Sequence, residues 1–304
     1  METVIVGARG SKLAQLMVRE LLDHLGSCPV MRFKLKVITT QGDRDRRSPL
    51  RELGGEDGGG VFTNQLQEEL LAGRIDLALH SLKDLPTACA EGLALATTPP
   101  RHDPRDALCG STLAALRPGA KVGTGSPRRI AQLKALRPDV TVIPLRGNVP
   151  TRLAKLKSGL DAVVLAASGL ERLGASDAIT EFLDPQIFPP APGQGALGVQ
   201  VRASDRELLA MLNSYGDPDS DAAVRAERAL LAQLHGGCSV PVGAYAELAG
   251  GELRLNAQVT SPDGCRLIAG TATGTDPDEV GLSLAARLLA QGADEILREI
   301  RQPI

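Results

Sequence analysis

Aromatic residues are nearly missing from this chain: among 304 residues there is no tryptophan, and there are only two tyrosines and four phenylalanines. Its cores must therefore be aliphatic, and the stacking surfaces that hold single-stranded nucleic acid are scarce. Charge of one sign is also missing. The formal net charge is −2 at pH 7 and no Lys/Arg run occurs, so a phosphate backbone has no basic track to follow. No run of about eighteen apolar residues exists, which excludes a membrane-spanning helix. Cys28, Cys89, Cys109, Cys238 and Cys265 are odd in number and far apart, giving neither a disulfide framework nor metal spacing. His24, His80, His102 and His235 form no metal-binding pair, and no metal site is expected. Met1–Gly7 enters a strand pattern with no basic segment ahead of it, so a cytoplasmic protein is expected.

Arginine is present in an unusual setting. It recurs beside small or turn-forming residues in Gly7-Ala8-Arg9-Gly10-Ser11, Gly123-Thr124-Gly125-Ser126-Pro127-Arg128-Arg129, Leu145-Arg146-Gly147-Asn148, Thr151-Arg152 and Gly169-Leu170-Glu171-Arg172. Glycine lets backbone approach a ligand, and arginine offers a planar fork that fits a carboxylate two bonds at a time. Singly, each is ordinary surface charge. Together they indicate a pocket for a small molecule carrying several carboxylates or phosphates.

The periodicity predicts strand Thr3–Val6, a helix capped by Ser11, strand Phe33–Ile38, helix Phe62–Leu71 and strand Ile75–Leu79. Gln41 to Gly60, rich in glycine and charge, has no core to join and is expected to be a mobile lid. After Thr97–Arg101 the pattern restarts, with strands Ala120–Val122, Val140–Pro144 and Ala162–Ala166 and helices Arg128–Leu136 and Pro150–Lys157, Pro150 taking the first helical position. A second hinge at Phe188–Gly193 precedes strand Leu197–Val201. Two hinges around one α/β unit imply an inserted domain and a cleft. Helix Ala222–Leu234, strands Val242–Leu248, Leu253–Thr260 and Cys265–Thr273, and a helix from Glu279 to Ile300 broken at Gly292 make a small α+β domain. The expected domains are 1–96 with 196–214, 101–189, and 218–304.

Three segments can carry chemistry. His80-Ser81-Leu82-Lys83-Asp84-Leu85-Pro86 closes a buried strand, where open α/β folds place ligand groups. Asp84 there either handles protons and positive charge or forms an ion pair or turn cap with Lys83. Cys238, after two glycines, is either an accessible nucleophile or attachment point, or a small buried hydrophobe. Gly123–Pro127 before a helix suits an anion but is not a nucleotide-binding loop.

In order along the chain, Ala8–Ser11, His80–Pro86, Asp103-Pro104-Arg105-Asp106-Ala107, Gly123–Arg129, Leu145–Arg152, Pro192-Gly193-Gln194-Gly195-Ala196 and Gly236-Gly237-Cys238 closely resemble the porphobilinogen deaminase (hydroxymethylbilane synthase) family. The resemblance implies two anion-binding-protein-like α/β domains around a cleft plus a small α+β C-terminal domain. It implies head-to-tail condensation of four porphobilinogen molecules with release of ammonia, then hydrolytic release of linear hydroxymethylbilane. It further implies a dipyrromethane cofactor held by a thioether to Cys238, and a monomer needing neither nucleic acid nor membrane.

By the same resemblance, Asp84 and Lys83 are catalytic. Ser11, Lys83, Asp84, Ser126, Arg128, Arg129, Arg146, Gly147, Asn148 and Arg152 hold the cofactor. Arg9, Ser11, Phe62, Arg146, Arg152, Arg172 and Gln194 bind substrate. One stretch departs from the pattern. The lysines usual before the phenylalanine matching Phe62 are absent from Glu52–Val61, acids appear there, and Arg44, Arg46, Arg47 and Arg51 are the candidate replacements.

Overall fold

A computed structural model describes residues 2–26, 31–44, 60–235 and 240–301. Its internal contacts divide it into one unit of Met1–His102 with Ala196–Asp221, and another of Asp103–Gly195 with Ala222–Ile304.

In the first unit, β1 (Glu2–Arg9), β2 (Met31–Ile38) and β3 (Leu77–Ser81) are parallel. The late strand β10 (Leu197–Arg202) runs antiparallel between β3 and β4 (Leu93–Leu95), giving the order β2-β1-β3-β10-β4. Ser11 starts α1 (Lys12–Leu25) by accepting the Ala14 N–H at 3.2 Å. This helix buries Met17, Val18, Leu21 and Leu25 with Val6, Ala8, Leu77 and Leu79. Strand residues alternate between faces, so Ala78 looks the other way, onto Leu66 and Leu70 of α3 (Asn64–Leu71). Gln41–Arg44, expected to be loop, is a short helix, α2, with Gly42 buried. The lid expectation for the rest of that stretch, including Arg46, Arg47 and Arg51, lies outside the described residues. α7 (Arg206–Ser214) packs Leu208 and Leu212 onto the α1 side.

The second unit repeats the arrangement. β6 (Lys121–Gly123), β7 (Thr141–Ile143) and β8 (Ala162–Ala166) are parallel. β5 (Asp106–Cys109) and β9 (Ile179–Phe182) complete the order β7-β6-β8-β5-β9, with β5 antiparallel to both its neighbours. Proline and serine define α4 (Pro127–Leu136): Ser126 caps it and Pro127 lies in its first turn. α5 (Val149–Ala154) is capped by Asn148, so Pro150 takes the second position, not the first, and a 3-10 turn carries the chain to Ser158. α6 (Ala167–Arg172) follows β8 directly.

Within the same unit, β11 (Val242–Ala249), β12 (Glu252–Thr260) and β13 (Leu267–Gly274) form an antiparallel sheet. Its aliphatic core is shared with α8 (Pro218–Gln233), α9 (Pro277–Leu288) and α10 (Asp294–Arg301). Gly292, at φ 98°, breaks the last two helices apart as expected. The third strand starts two residues later than expected because the Cys265 N–H bonds the Asp263 carboxylate across the preceding turn. The architecture is mixed α/β with two five-stranded sheets of parallel and antiparallel strands and a small C-terminal sheet with helices.

Candidate functional site

In the first unit the expected residues gather where β1 and β3 end. Arg9 is the last residue of β1, and Ser11 spends its hydroxyl on the helix cap. The parallel register pairs Val6 with Leu77 and Gly7 with Ala78; two residues on, it sets Arg9 beside His80. Arg9 is engaged on two sides. Nη2 donates to Asp43 Oδ1 at 2.5 Å and Nε to Oδ2 at 3.2 Å, while its carbon lies 4.0 Å over the Phe62 ring. Burial raises the Asp43 pKa, but the Arg9 and Thr40 hydrogen bonds outweigh it, and the carboxyl is held below its usual range.

β3 runs into a 3-10 turn, Leu82–Asp84, closed by Leu85 N–H to Leu82 O at 3.1 Å; Pro86 prevents continuation. Lys83 and Asp84 are half-buried. The ion pair between them, one of the two readings above, does not form, and no described residue bonds the Asp84 carboxylate. His80 is buried with Nε2 unpartnered, and burial, then the Arg9 charge, push its pKa down to about 3.

In the second unit the candidates again sit where parallel strands end. Gly125 passes so close to Leu145 that a Cβ would lie 2.2 Å from its carbonyl oxygen. Gly147, at φ 105°, turns the chain into α5. Asn148 accepts the Thr151 N–H at 3.0 Å, and Arg152 Nε bonds Gly147 O at 2.8 Å. Arg172 Nη2 bonds Gly195 O at 2.9 Å. Arg146, Arg152 and Arg172 are half-buried.

Arg128, Arg129 and Gln194, expected to contact ligand, are buried with side chains bonded inside the unit. Arg128 and Arg129 are 3% and 5% exposed and converge on Asp106, which is fully buried. Arg129 also donates to Val164 O, and Arg128 to Gln132 and Pro189 O. Gln194 Nε2 bonds Asp106 Oδ1 at 2.8 Å and Pro104 O at 2.7 Å. The bonds named above all lie inside the unit, because a buried guanidinium needs acceptors and a counter-charge, while Arg128 Nε is buried without a hydrogen-bond partner. Two cations facing one anion leave an uncompensated positive charge at the start of α4.

Sequence reasoning missed Asp43, the pairing role of Asp106, and Glu227. The buried Glu227 accepts Gly193 N–H at 2.7 Å and Ala246 N–H at 2.8 Å, tying the Pro192–Gly195 turn to β11. Glu227 gave no signal, being one acid on a charged helix. Cys238 lies outside the described residues. Among them no cluster of metal-ligating side chains occurs, and no helix is long and apolar enough to cross a membrane.

A family model described as porphobilinogen deaminase, dipyromethane cofactor binding domain, matches residues 4–210, and one described as porphobilinogen deaminase, C-terminal domain, matches residues 222–290. The chain is 48% identical over 303 residues to a porphobilinogen deaminase of Roseiflexus sp. (strain RS-1), covering 97% of this chain and 99% of that one. It is 47% identical over 302 residues to that of Roseiflexus castenholzii, covering 97% and 98%. Among solved structures, an ancestral cationic amino acid solute binding protein is 15% identical, with 70% of this chain and 87% of that one covered and a TM-score of 0.45.

Proposed function

The chain belongs to the porphobilinogen deaminase family and acts as a hydroxymethylbilane synthase, and from that premise we propose which of its residues carry each part of the reaction. The enzyme condenses four porphobilinogen molecules head to tail onto a dipyrromethane primer and releases linear hydroxymethylbilane by hydrolysis. At each addition ammonia leaves with its bonding pair, a carbon–carbon bond forms, and the attacking pyrrole carbon loses its proton.

The described donor set fits a chain of pyrroles, each carrying two carboxylates. Arg9 ends β1, Arg146 lies in the loop before α5, Arg152 lies within α5 and Arg172 ends α6, all partly exposed, as carboxylate clamps need. When bound, the dipyrromethane supplies the primer that accepts the first substrate carbon and stays with the enzyme. Cys238 is its attachment point. Arg128 and Arg129 serve through their uncompensated charge at the α4 start, which favours an anion there. Ser11, Ser126, Gly147 and Asn148 shape the helix starts, and Gln194 holds Asp106. Phe62 is the apolar floor beneath Arg9.

One observation carries the catalytic assignment: the Asp84 carboxylate, in the turn that follows β3, has no partner among the described residues. A half-buried anion so placed stabilises the cation left when ammonia departs, and accepts pyrrole N–H bonds. Lys83 balances its charge. Three domains, 1–96 with 196–214, 101–189 and 218–304, are supported by a separate aliphatic core for each sheet. The reading takes the enzyme as a cytoplasmic monomer without nucleic-acid or membrane partners; the near-neutral charge supports the lack of a nucleic-acid partner. The test is intact mass. The purified protein should exceed its polypeptide mass by one fixed increment, absent in Cys238→Ser, which should fold without turnover. A bare polypeptide mass in active parent enzyme would overturn the assignment.

A further inference from the structure

Arginine has two edges that can grip a carboxylate, the side edge of Nε and Nη2 and the end edge of Nη1 and Nη2. At Arg9 the side edge is taken by Asp43. No described residue bonds Nη1, and the side chain is 26% exposed. Asp43 is itself fixed: its Oδ2 accepts the Thr40 hydroxyl at 2.8 Å and the Thr40 N–H at 3.3 Å. Phe62 fixes the guanidinium plane from one face, and it can lie there only because residue 42 is glycine. A Cβ on Gly42 would sit 2.1 Å from the Phe62 ring. Thr40, Gly42, Asp43 and Phe62 thus form a socket that leaves one edge of Arg9 open.

We propose that Asp43 is a positioning residue for the reaction: by occupying the side edge of Arg9 it aims the end edge at a carboxylate of the incoming pyrrole. The proposal rests on Arg9 binding substrate, as read above. A free arginine on a strand end samples many rotamers, and ordering it on binding costs affinity. A socket removes that cost beforehand. His80, next to Arg9 on β3, stays neutral over the working pH range and adds no competing cation. An alternative stands against this, in which Asp43 merely occupies the subsite and substrate must displace it. The two predict opposite signs.

The experiment measures KM and kcat for porphobilinogen in cofactor-loaded parent, Asp43→Asn, Arg9→Lys and the double variant, with thermal melts of each. Positioning predicts that Asp43→Asn raises KM roughly tenfold, the factor for about 1.4 kcal/mol, and changes kcat little. Lysine has a single ammonium that cannot serve Asp43 and substrate at once. In the Arg9→Lys background, removing the Asp43 charge should therefore lower KM. A fall in KM in both backgrounds would establish competition and overturn the proposal. So would an unchanged KM with a lowered melting temperature, which is the mark of a structural pair. If Arg9→Lys and Arg9→Gln both kept the parent KM, the substrate role of Arg9 itself would fail, a separate outcome.

Discussion

Arg129 and Asp106 meet in a buried pair in which Nη2 and Nε lie 2.6 and 3.0 Å from the same carboxylate oxygen, Oδ1. Arg128 approaches the other oxygen at 2.8 Å. Burial alone would raise the Asp106 pKa, but the two guanidinium charges overcome it and hold the carboxyl far below its usual range. The first residue of β5 is thereby fastened to the first turn of α4.

Asp106→Asn should destabilise the protein by about 3–5 kcal/mol, the range for leaving buried charge without its partner. Urea unfolding at pH 7 measures it. A loss under about 1 kcal/mol would show that solvent or a rearranged acceptor takes over the two arginines.

Asp84→Asn keeps volume and removes charge. No described residue depends on this carboxylate, so melting temperature and cofactor mass should match the parent. Turnover should fall about 100- to 1000-fold, as when one stabiliser of developing charge is lost. A variant with most of the parent kcat would leave Asp84 as a turn residue only.

His80 makes stability pH-dependent in a stated direction. Its pKa is 6.5 in the unfolded chain and about 3 in the folded one. Above pH 6.5 neither state holds the proton. As pH falls below that, the unfolded chain takes up a proton that the folded chain refuses until about pH 3. Stability from this group therefore falls by about 1.4 kcal/mol per pH unit across that window. Between pH 7 and 5 the parent should lose ~2 kcal/mol more than His80→Leu. Parallel pH slopes in urea titrations would mean that the folded imidazole protonates normally.

Glu227→Gln is nearly isosteric yet exchanges one acceptor for a donor. Glu227 faces two backbone N–H groups, of Gly193 and Ala246, so one would meet the new amide donor. The cost should be roughly 1–3 kcal/mol, with faster hydrogen exchange at Gly193 or Ala246. Equal stability and unchanged exchange at both amides would show that the turn does not rely on this carboxylate.

Long, strongly periodic elements were legible in the residues. α1 has leucines and a methionine at helical spacing and a serine cap, and the later sheet has alternating strands with Gly250-Gly251 between two of them. Short elements were not. β4, β5 and β9 have three or four residues each, too few to show a period, and exist because neighbouring strands offer them hydrogen bonds. α2 hides inside a stretch whose glycine and charge argue for loop, and it holds because Gly42 packs beneath Phe62.

For the site, residue type and spacing by themselves determined only local character, arginines beside turn glycines and an acid after a strand before proline, which points to a ligand with several anionic groups; the reaction was legible only through the family resemblance. Those features are local, since backbone freedom, charge and rotamer stiffness belong to the residue. Which arginine faces outward was decided only by tertiary structure. Arg9 and Arg129 look alike in sequence, each next to a helix start, yet Arg129 is sealed against Asp106, 23 positions away, while Arg9 keeps one edge open. The cause is desolvation: a buried guanidinium must find its counter-charge across the fold, and no local pattern records which acid the sheet order brings to it.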